Sequence, residues 1–356
     1  MSRTVLLIAG EASGDVRGAE LVEAFHRLDT SVNFAGVGGE RLRQAGMRIL
    51  VDTASIATMG FVEVLGAAAR VLAAYRRLKR FLREERPQLV ILIDYPEFNL
   101  FFAKQAKKLG IPVFYYISPQ VWAWRSGRVR KIVRRVDRLG VVFPFEESIY
   151  NTNGSKLAQF VGHPLLDVVR PTRSAAETRS RYGIDADRPL LAILPGSREK
   201  EVQQLLAPAL DSAEILQSEG WQIVIVLAHT LTADDLRAAV GDRKTDFPMI
   251  ADDTYNLVHA ADAALVASGT ASLETALLGK PMVIMYRVSP LTWALARRLV
   301  RVDYIGMPNI ILGRGVFPEA LQDGVTPQNL VAAIHDVRKR QDEMTAALRE
   351  LRSKLG

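Results

Sequence analysis

The sequence predicts a two-domain α/β protein of the doubly wound type. Three observations predict it. The 356 residues suit two domains rather than one. The chain opens with an apolar strand at 4–9 that runs into a glycine-bearing loop, Gly10-Glu11-Ala12-Ser13-Gly14-Asp15, and then a helix. The same alternation restarts at 190–194, after a polar, proline-containing linker at 167–177. The expected domains are 1–166 and 173–335, with a final helix at 336–356 packing back onto the first.

In the first domain, Leu21, Val22, Phe25 and Leu28 recur at helical spacing, and Ser13 or Asp15 can cap that helix. A short strand at 33–36, the Gly38-Gly39 pair and a helix at 40–45 follow. Residues 59–85 read as one amphipathic helix. Phe61, Val64, Leu65, Leu72, Leu78 and Leu82 share a face, and Arg76, Arg77, Lys79, Arg80 and Arg83 crowd the remainder. An apolar strand at 88–93 ends at Asp94, and a helix at 100–109 stops before Gly110 and Pro112. A strand at 113–117 leads into Ser-Pro-Gln-Val-Trp-Ala-Trp-Arg at 118–125 and then a basic helix.

In the second domain, the strand 190–194 enters Pro195-Gly196-Ser197-Arg198 ahead of a helix at 199–217. Strands at 223–227 and 248–251 precede a strand at 261–267 that enters Ser268-Gly269-Thr270. The helix behind that turn is closed by Gly279 and Pro281, and a strand follows at 282–286. Residues 326–351 read as one long helical tail.

Composition narrows the chemistry. There is no cysteine, which excludes disulfides, thiolate metal sites and cysteine nucleophiles. The five histidines are scattered, so no metal is expected. No stretch approaches about 18 uninterrupted apolar residues, so no transmembrane helix is expected. Residues 60–138 hold 17 Lys/Arg against 6 Asp/Glu, a net of +11 in a chain of +7. Such asymmetry calls for an anionic partner: nucleic acid, a phosphorylated ligand or a membrane surface.

Candidate site residues follow from position. A strand-to-helix turn exposes backbone N–H groups and the positive end of a helix dipole, which suits phosphate. Gly196 and Ser197 offer such donors, and Arg198 adds a bidentate fork. Ser268, Gly269 and Thr270 form the second turn, with Glu274 one turn further on and placed for ribose hydroxyls. Alone, this turn reads first as an ordinary helix cap; two turns in one domain fit a diphosphate better than either does alone. Asp94 lies at a strand C-terminal end, where ligands of such folds bind, and is the general-base candidate. Glu11 and Glu97 are the neighbours able to share or replace that role. The basic amphipathic helix suits an anionic lipid surface or a core-packed helix with a solvated basic face, and the tryptophan segment with its arginines suits a membrane interface, a sugar site or a nucleic-acid site.

Taken together these motifs resemble lipid-A-disaccharide synthase. They are Ala-Gly-Glu-Ala-Ser-Gly-Asp at 9–15, Met-Gly-Phe-Val-Glu-Val-Leu at 59–65, Ile-Asp-Tyr-Pro-Glu-Phe-Asn at 93–99, the tryptophan segment at 118–125, Val-Gly-His-Pro at 161–164, Leu-Pro-Gly-Ser-Arg at 194–198, Ser-Gly-Thr-Ala-Ser-Leu-Glu at 268–274 and Pro-Asn at 308–309. The resemblance implies a glycosyltransferase-B fold, two Rossmann-like domains facing a cleft. It implies an inverting transfer of 2,3-diacylglucosamine from its UDP derivative to the 6-hydroxyl of 2,3-diacylglucosamine 1-phosphate, giving a β-1,6 disaccharide and UDP. Asp94 would be the base, with Glu11 beside it. Arg198 and the Ser268–Thr270 turn would hold the diphosphate, Glu274 the ribose, and Asn309 would line the nucleotide cleft. Met59, Phe61, Val62, Leu65, Trp122, Trp124 and Arg125 would meet the acylated acceptor and the membrane. No cofactor and no nucleic-acid partner are implied. The implied setting is the cytoplasmic face of the inner membrane, with a homodimer left open. Another UDP-N-acetylglucosamine transferase or epimerase of the same fold is the competing enzyme. It would keep both turns but have no use for the tryptophan segment.

Overall fold

The computed structural model describes residues 3–54, 64–119, 121, 127–152, 154–241, 246–299 and 303–356. They form two compact units, 1–162 and 163–356. The first is built on a parallel sheet of β1 (Arg3–Ala9), β2 (Val32–Gly38), β3 (Arg48–Asp52), β4 (Leu89–Ile93), β5 (Val113–Tyr116), β6 (Arg138–Val141) and β7 (Ala158–Phe160), in the order β3-β2-β1-β4-β5-β6-β7. The second is built on β8 (Leu190–Leu194), β9 (Gln222–Val226), β10 (Met249–Ile250), β11 (Ala263–Ala267), β12 (Met282–Tyr286) and β13 (Glu319–Leu321), in the order β10-β9-β8-β11-β12-β13.

Helices cover both faces of the first sheet, so its strands are apolar on both sides. Along β1, Leu6 and Ile8 join one core while Val5, Leu7 and Ala9 join the other. This produces the unbroken apolar runs that marked the central strands in the sequence. Each strand order reverses once, between β1 and β4 and between β8 and β11. Ligands of open α/β sheets bind outside the strand ends at such reversals. Ala9 pairs with Ile93, which brings the Gly10-Glu11 loop beside Asp94. Val266 pairs with Leu194, which brings the Ser-Gly-Thr turn beside Pro-Gly-Ser-Arg.

Several elements differ from expectation. The tail is two helices, Pro327–Lys339 and Gln341–Leu355, not one. The break falls at Arg340, whose guanidinium binds Asp336, Glu343 and the Val316 carbonyl. The last helix buries Met344, Leu348 and Leu351 and packs on Thr270–Leu277 and Met307–Leu312. Both of those helices belong to its own unit. The helix after Asp94 spans Pro96–Lys108, four residues earlier than expected, because Pro96 is favoured in a first turn.

Asp15 does not cap its own helix, Ala12–Leu28. Its buried carboxylate accepts the backbone N–H groups of Gly39 at 2.6 Å, Arg41 at 3.0 Å and Leu42 at 3.3 Å, capping Glu40–Gln44 instead. Asp15→Ala should cost about 1–3 kcal/mol of unfolding free energy, since buried donors lose their acceptor. Urea denaturation checks this.

The basic helix is described over Val64–Glu84. Its Ala74, Leu78, Phe81 and Leu82 are buried in the core, while Arg70, Arg76, Arg77, Arg80 and Arg83 are exposed. The apolar face of this C-terminal half therefore serves the fold and is not free for lipid.

Candidate active site

The first unit gathers three carboxylates at its sheet reversal. Asp94 directly follows β4 and is half-buried. Asp94 and Tyr95 both have left-handed backbones, with φ of 49° and 45°. Two consecutive non-glycine residues in that region cost about 1–3 kcal/mol each and need a clamp. The clamp is present. The Asp94 carbonyl accepts from the Tyr115 hydroxyl at 2.6 Å and from Asn99 Nδ2 at 2.7 Å. Asn99 Nδ2 also reaches the Ile93 carbonyl at 3.0 Å, and both clamp residues are buried. The Tyr95 ring lies over Gly10, where a Cβ would come within 2.3 Å of it. Only glycine leaves room for that ring.

Burial pushes the Asp94 carboxyl above its ordinary value, with a partial offset from the Tyr95 N–H it accepts. Glu11 is also raised, first by burial and then by the charges of Asp94 and Glu97. Glu97 is ion-paired with Arg128 from the helix Gly127–Arg135. Carboxylates with raised proton affinity at a strand end can accept a proton from a hydroxyl.

The second unit holds a cavity of about 780 Å³ outside β8, β9 and β11. Gly196, Ser197, Arg198, the Ser268–Thr270 turn and Glu274 all line it. The helices Glu199–Ser218 and Thr270–Leu277 start at these two turns, where first-turn N–H groups precede the intrahelical ladder, although those of Glu201 and Ser272 already bind the Arg198 and Gly269 carbonyls. The Ser268 N–H is not among the available donors, because it binds the Met285 carbonyl at 2.8 Å. The Ser268 hydroxyl donates to the Ile305 carbonyl at 3.1 Å. Glu274 accepts from the Tyr255 hydroxyl at 3.0 Å, and Tyr255 also lines the cavity.

Asn309 is not in the lining. It is fully buried, and both ends of its amide are used internally. Oδ1 accepts from the Val316 and Phe317 N–H groups, and Nδ2 donates to the Phe317 carbonyl and to Glu319. Glu319 in turn accepts from the N–H groups of Ile305 and Gly306. Asn309 thereby supports, through Glu319, the 305–306 segment whose Ile305 carbonyl accepts from the Ser268 hydroxyl. Met59, Phe61, Val62, Trp122, Trp124 and Arg125 lie outside the described residues, and Leu65 falls within Val64–Glu84. Tyr255 and Glu201 were missed by sequence reasoning. Glu201 had one available signal, its position three residues after Arg198 on a helix.

Residues 5–354 match the family model described as lipid-A-disaccharide synthetase. A curated lipid-A-disaccharide synthase of Geobacter metallireducens is 43% identical over 100% of this chain and 94% of its own length. That of Syntrophus aciditrophicus is 45% identical at the same coverage. Among solved structures, a UDP-GlcNAc 2-epimerase from Neisseria meningitidis bound to UDP-GlcNAc superposes with a TM-score of 0.66 at 13% identity, over 99% of this chain and 96% of that one. The glycotransferase of kitacinnamycin gives 0.63 at 14% identity, over 100% and 95%. The structural likenesses carry the fold, which is that of glycosyltransferase-B proteins. The sequence likenesses carry more: the chain belongs to the lipid-A-disaccharide synthetase family, and it is a glycosyltransferase.

Proposed function

We propose that this chain moves 2,3-diacylglucosamine from UDP to the 6-hydroxyl of 2,3-diacylglucosamine 1-phosphate, with Asp94 as the base and the second-unit cavity as the UDP site. Asp94 takes the hydroxyl proton as the oxygen attacks the anomeric carbon. The bond from that carbon to the β-phosphate oxygen breaks, and UDP leaves with the electron pair. Attack opposite an α-linked leaving group yields the β-1,6 bond. Arg198 and the two helix N-termini meet the charge that grows on the diphosphate. Glu274, steadied by Tyr255, accepts from ribose hydroxyls. The main support is the cavity itself, lined by both turns and Glu274 together. Release of UDP from acylated and unacylated UDP-glucosamine donors tests the substrate. The acylated donor should turn over much faster, and equal rates would point to another sugar-nucleotide enzyme of this fold.

Acylated substrates bring the enzyme to a bilayer. No helix among the described residues is long and apolar enough to cross one. Contact with anionic headgroups fits the exposed arginines of Val64–Glu84, with Leu72 and Phe101 exposed on the same unit. The 59–65 and 118–125 segments supply the apolar part. Phe61→Ser combined with Leu65→Ser should reduce co-flotation with vesicles containing anionic lipid. Undiminished flotation would remove these residues from the contact.

A further inference from the structure

Glu201 turns back from the first turn of Glu199–Ser218 onto the Pro-Gly-Ser-Arg loop. Its Oε2 accepts the Ser197 N–H at 3.1 Å, and its Oε1 accepts from Arg198 Nη1 at 2.9 Å. These are two of the donors that a phosphate at this turn would take. The loop is shaped around the carboxylate. Gly196 has φ +129°, and a Cβ there would lie 2.7 Å from the Glu201 Cβ. Glu201 also lines the cavity, and its charge reaches the Tyr286 phenol at the end of β12, which burial first and Glu201 second push upward.

Helix capping accounts for the Ser197 contact alone. It does not account for the contact with Arg198, an i,i+3 pair in which the arginine side chain stays 80% exposed. We infer that Glu201 is a positioning residue that takes the place of a phosphate before the nucleotide binds and speeds the departure of UDP. It holds the Ser197 N–H and Arg198 in place before the nucleotide arrives. A diphosphate carries more charge than one carboxylate and displaces it from both donors. Glu201 then stays beside the diphosphate as a like charge, which weakens retention of UDP once the sugar has been transferred. This inference rests on the diphosphate assignment above.

Calorimetric titration of UDP into the full-length wild type, Glu201→Gln, Glu201→Ala and Arg198→Ala tests it, alongside turnover and melting temperature. Glu201→Gln should bind UDP on the order of tenfold more tightly, because a like charge is removed. Its kcat should fall while kcat/KM for the donor holds, since slower release follows binding. Glu201→Ala should also bind more tightly, and it carries the test if the glutamine variant does not fold. Unchanged or weaker UDP binding in the folded variants would overturn the inference, because a purely capping residue gives that result. Arg198→Ala separates the two levels. If it leaves UDP affinity intact, the diphosphate assignment itself fails. If it weakens UDP while the Glu201 variants do not tighten it, only the role of Glu201 falls.

Discussion

Asp94→Asn should lower kcat by about 10²- to 10⁴-fold, the usual contribution of a positioned general base. The donor KM should stay within a few-fold, because Asp94 belongs to the first unit and the cavity proposed for UDP is lined wholly by the second. Steady-state kinetics with saturating acceptor measure both. Residual turnover within about tenfold of wild type would pass the role to Glu11 or Glu97. The pH profile gives an independent check. A base works deprotonated, and burial raises the Asp94 carboxyl above its ordinary 3.8. The acid limb of kcat should therefore lie above that of a free aspartate. Glu11→Gln should move the limb toward lower pH by removing a neighbouring negative charge.

The same shift has a stability consequence of defined sign. The folded state binds the Asp94 proton more tightly than the unfolded chain does. Its stabilising contribution is thus present below the unfolded value and lost as pH rises through the folded one. Asp94→Asn should melt above wild type at neutral pH, with the difference closing on acidification. A variant that is nearly inactive yet more stable marks a group kept in a costly state for chemistry.

Arg198→Ala should weaken UDP about 10- to 100-fold, the range expected for losing one charged hydrogen-bond partner. It should also lower kcat, because the charge on the diphosphate grows as the bond breaks. Arg198→Lys should fall between, keeping the charge but losing the planar fork. Melting temperature should barely change, since the exposed Arg198–Glu201 pair adds little to stability. Isothermal titration with UDP and donor kinetics separate binding from chemistry.

Central strands and both strand-to-helix turns were legible because their signals are local. A buried parallel strand must be an apolar run, and a strand-to-helix turn needs small or capping residues whatever surrounds it. The strands β3, β7 and β13 carried no such signal. Arg48–Asp52 mixes charged and apolar residues, while Ala158–Phe160 and Glu319–Leu321 have three residues each. Asp15 and Asn309 were legible as motif members but not in their bonding partners. Asp15 reaches 24 residues along the chain to Gly39, and Asn309 acts through Glu319, so only the folded chain reveals whom they serve. The tail reads as one helix in the sequence because its periodicity carries across Arg340. The ion pairs and carbonyl contact made by that side chain attend the interruption.

The internal bonding of Asn309 also bears on how mutational maps of this enzyme will read. A screen scored on nucleotide affinity would flag Asn309, because its loss loosens Glu319 and the 305–306 segment that receives the Ser268 hydroxyl. Such a score would label as a ligand contact a residue whose side-chain amide is bonded at both ends within the protein. A double-substitution cycle pairing Asn309 with Ser268 exposes the mislabelling. Two independent contacts give additive losses, whereas two members of one relay do not.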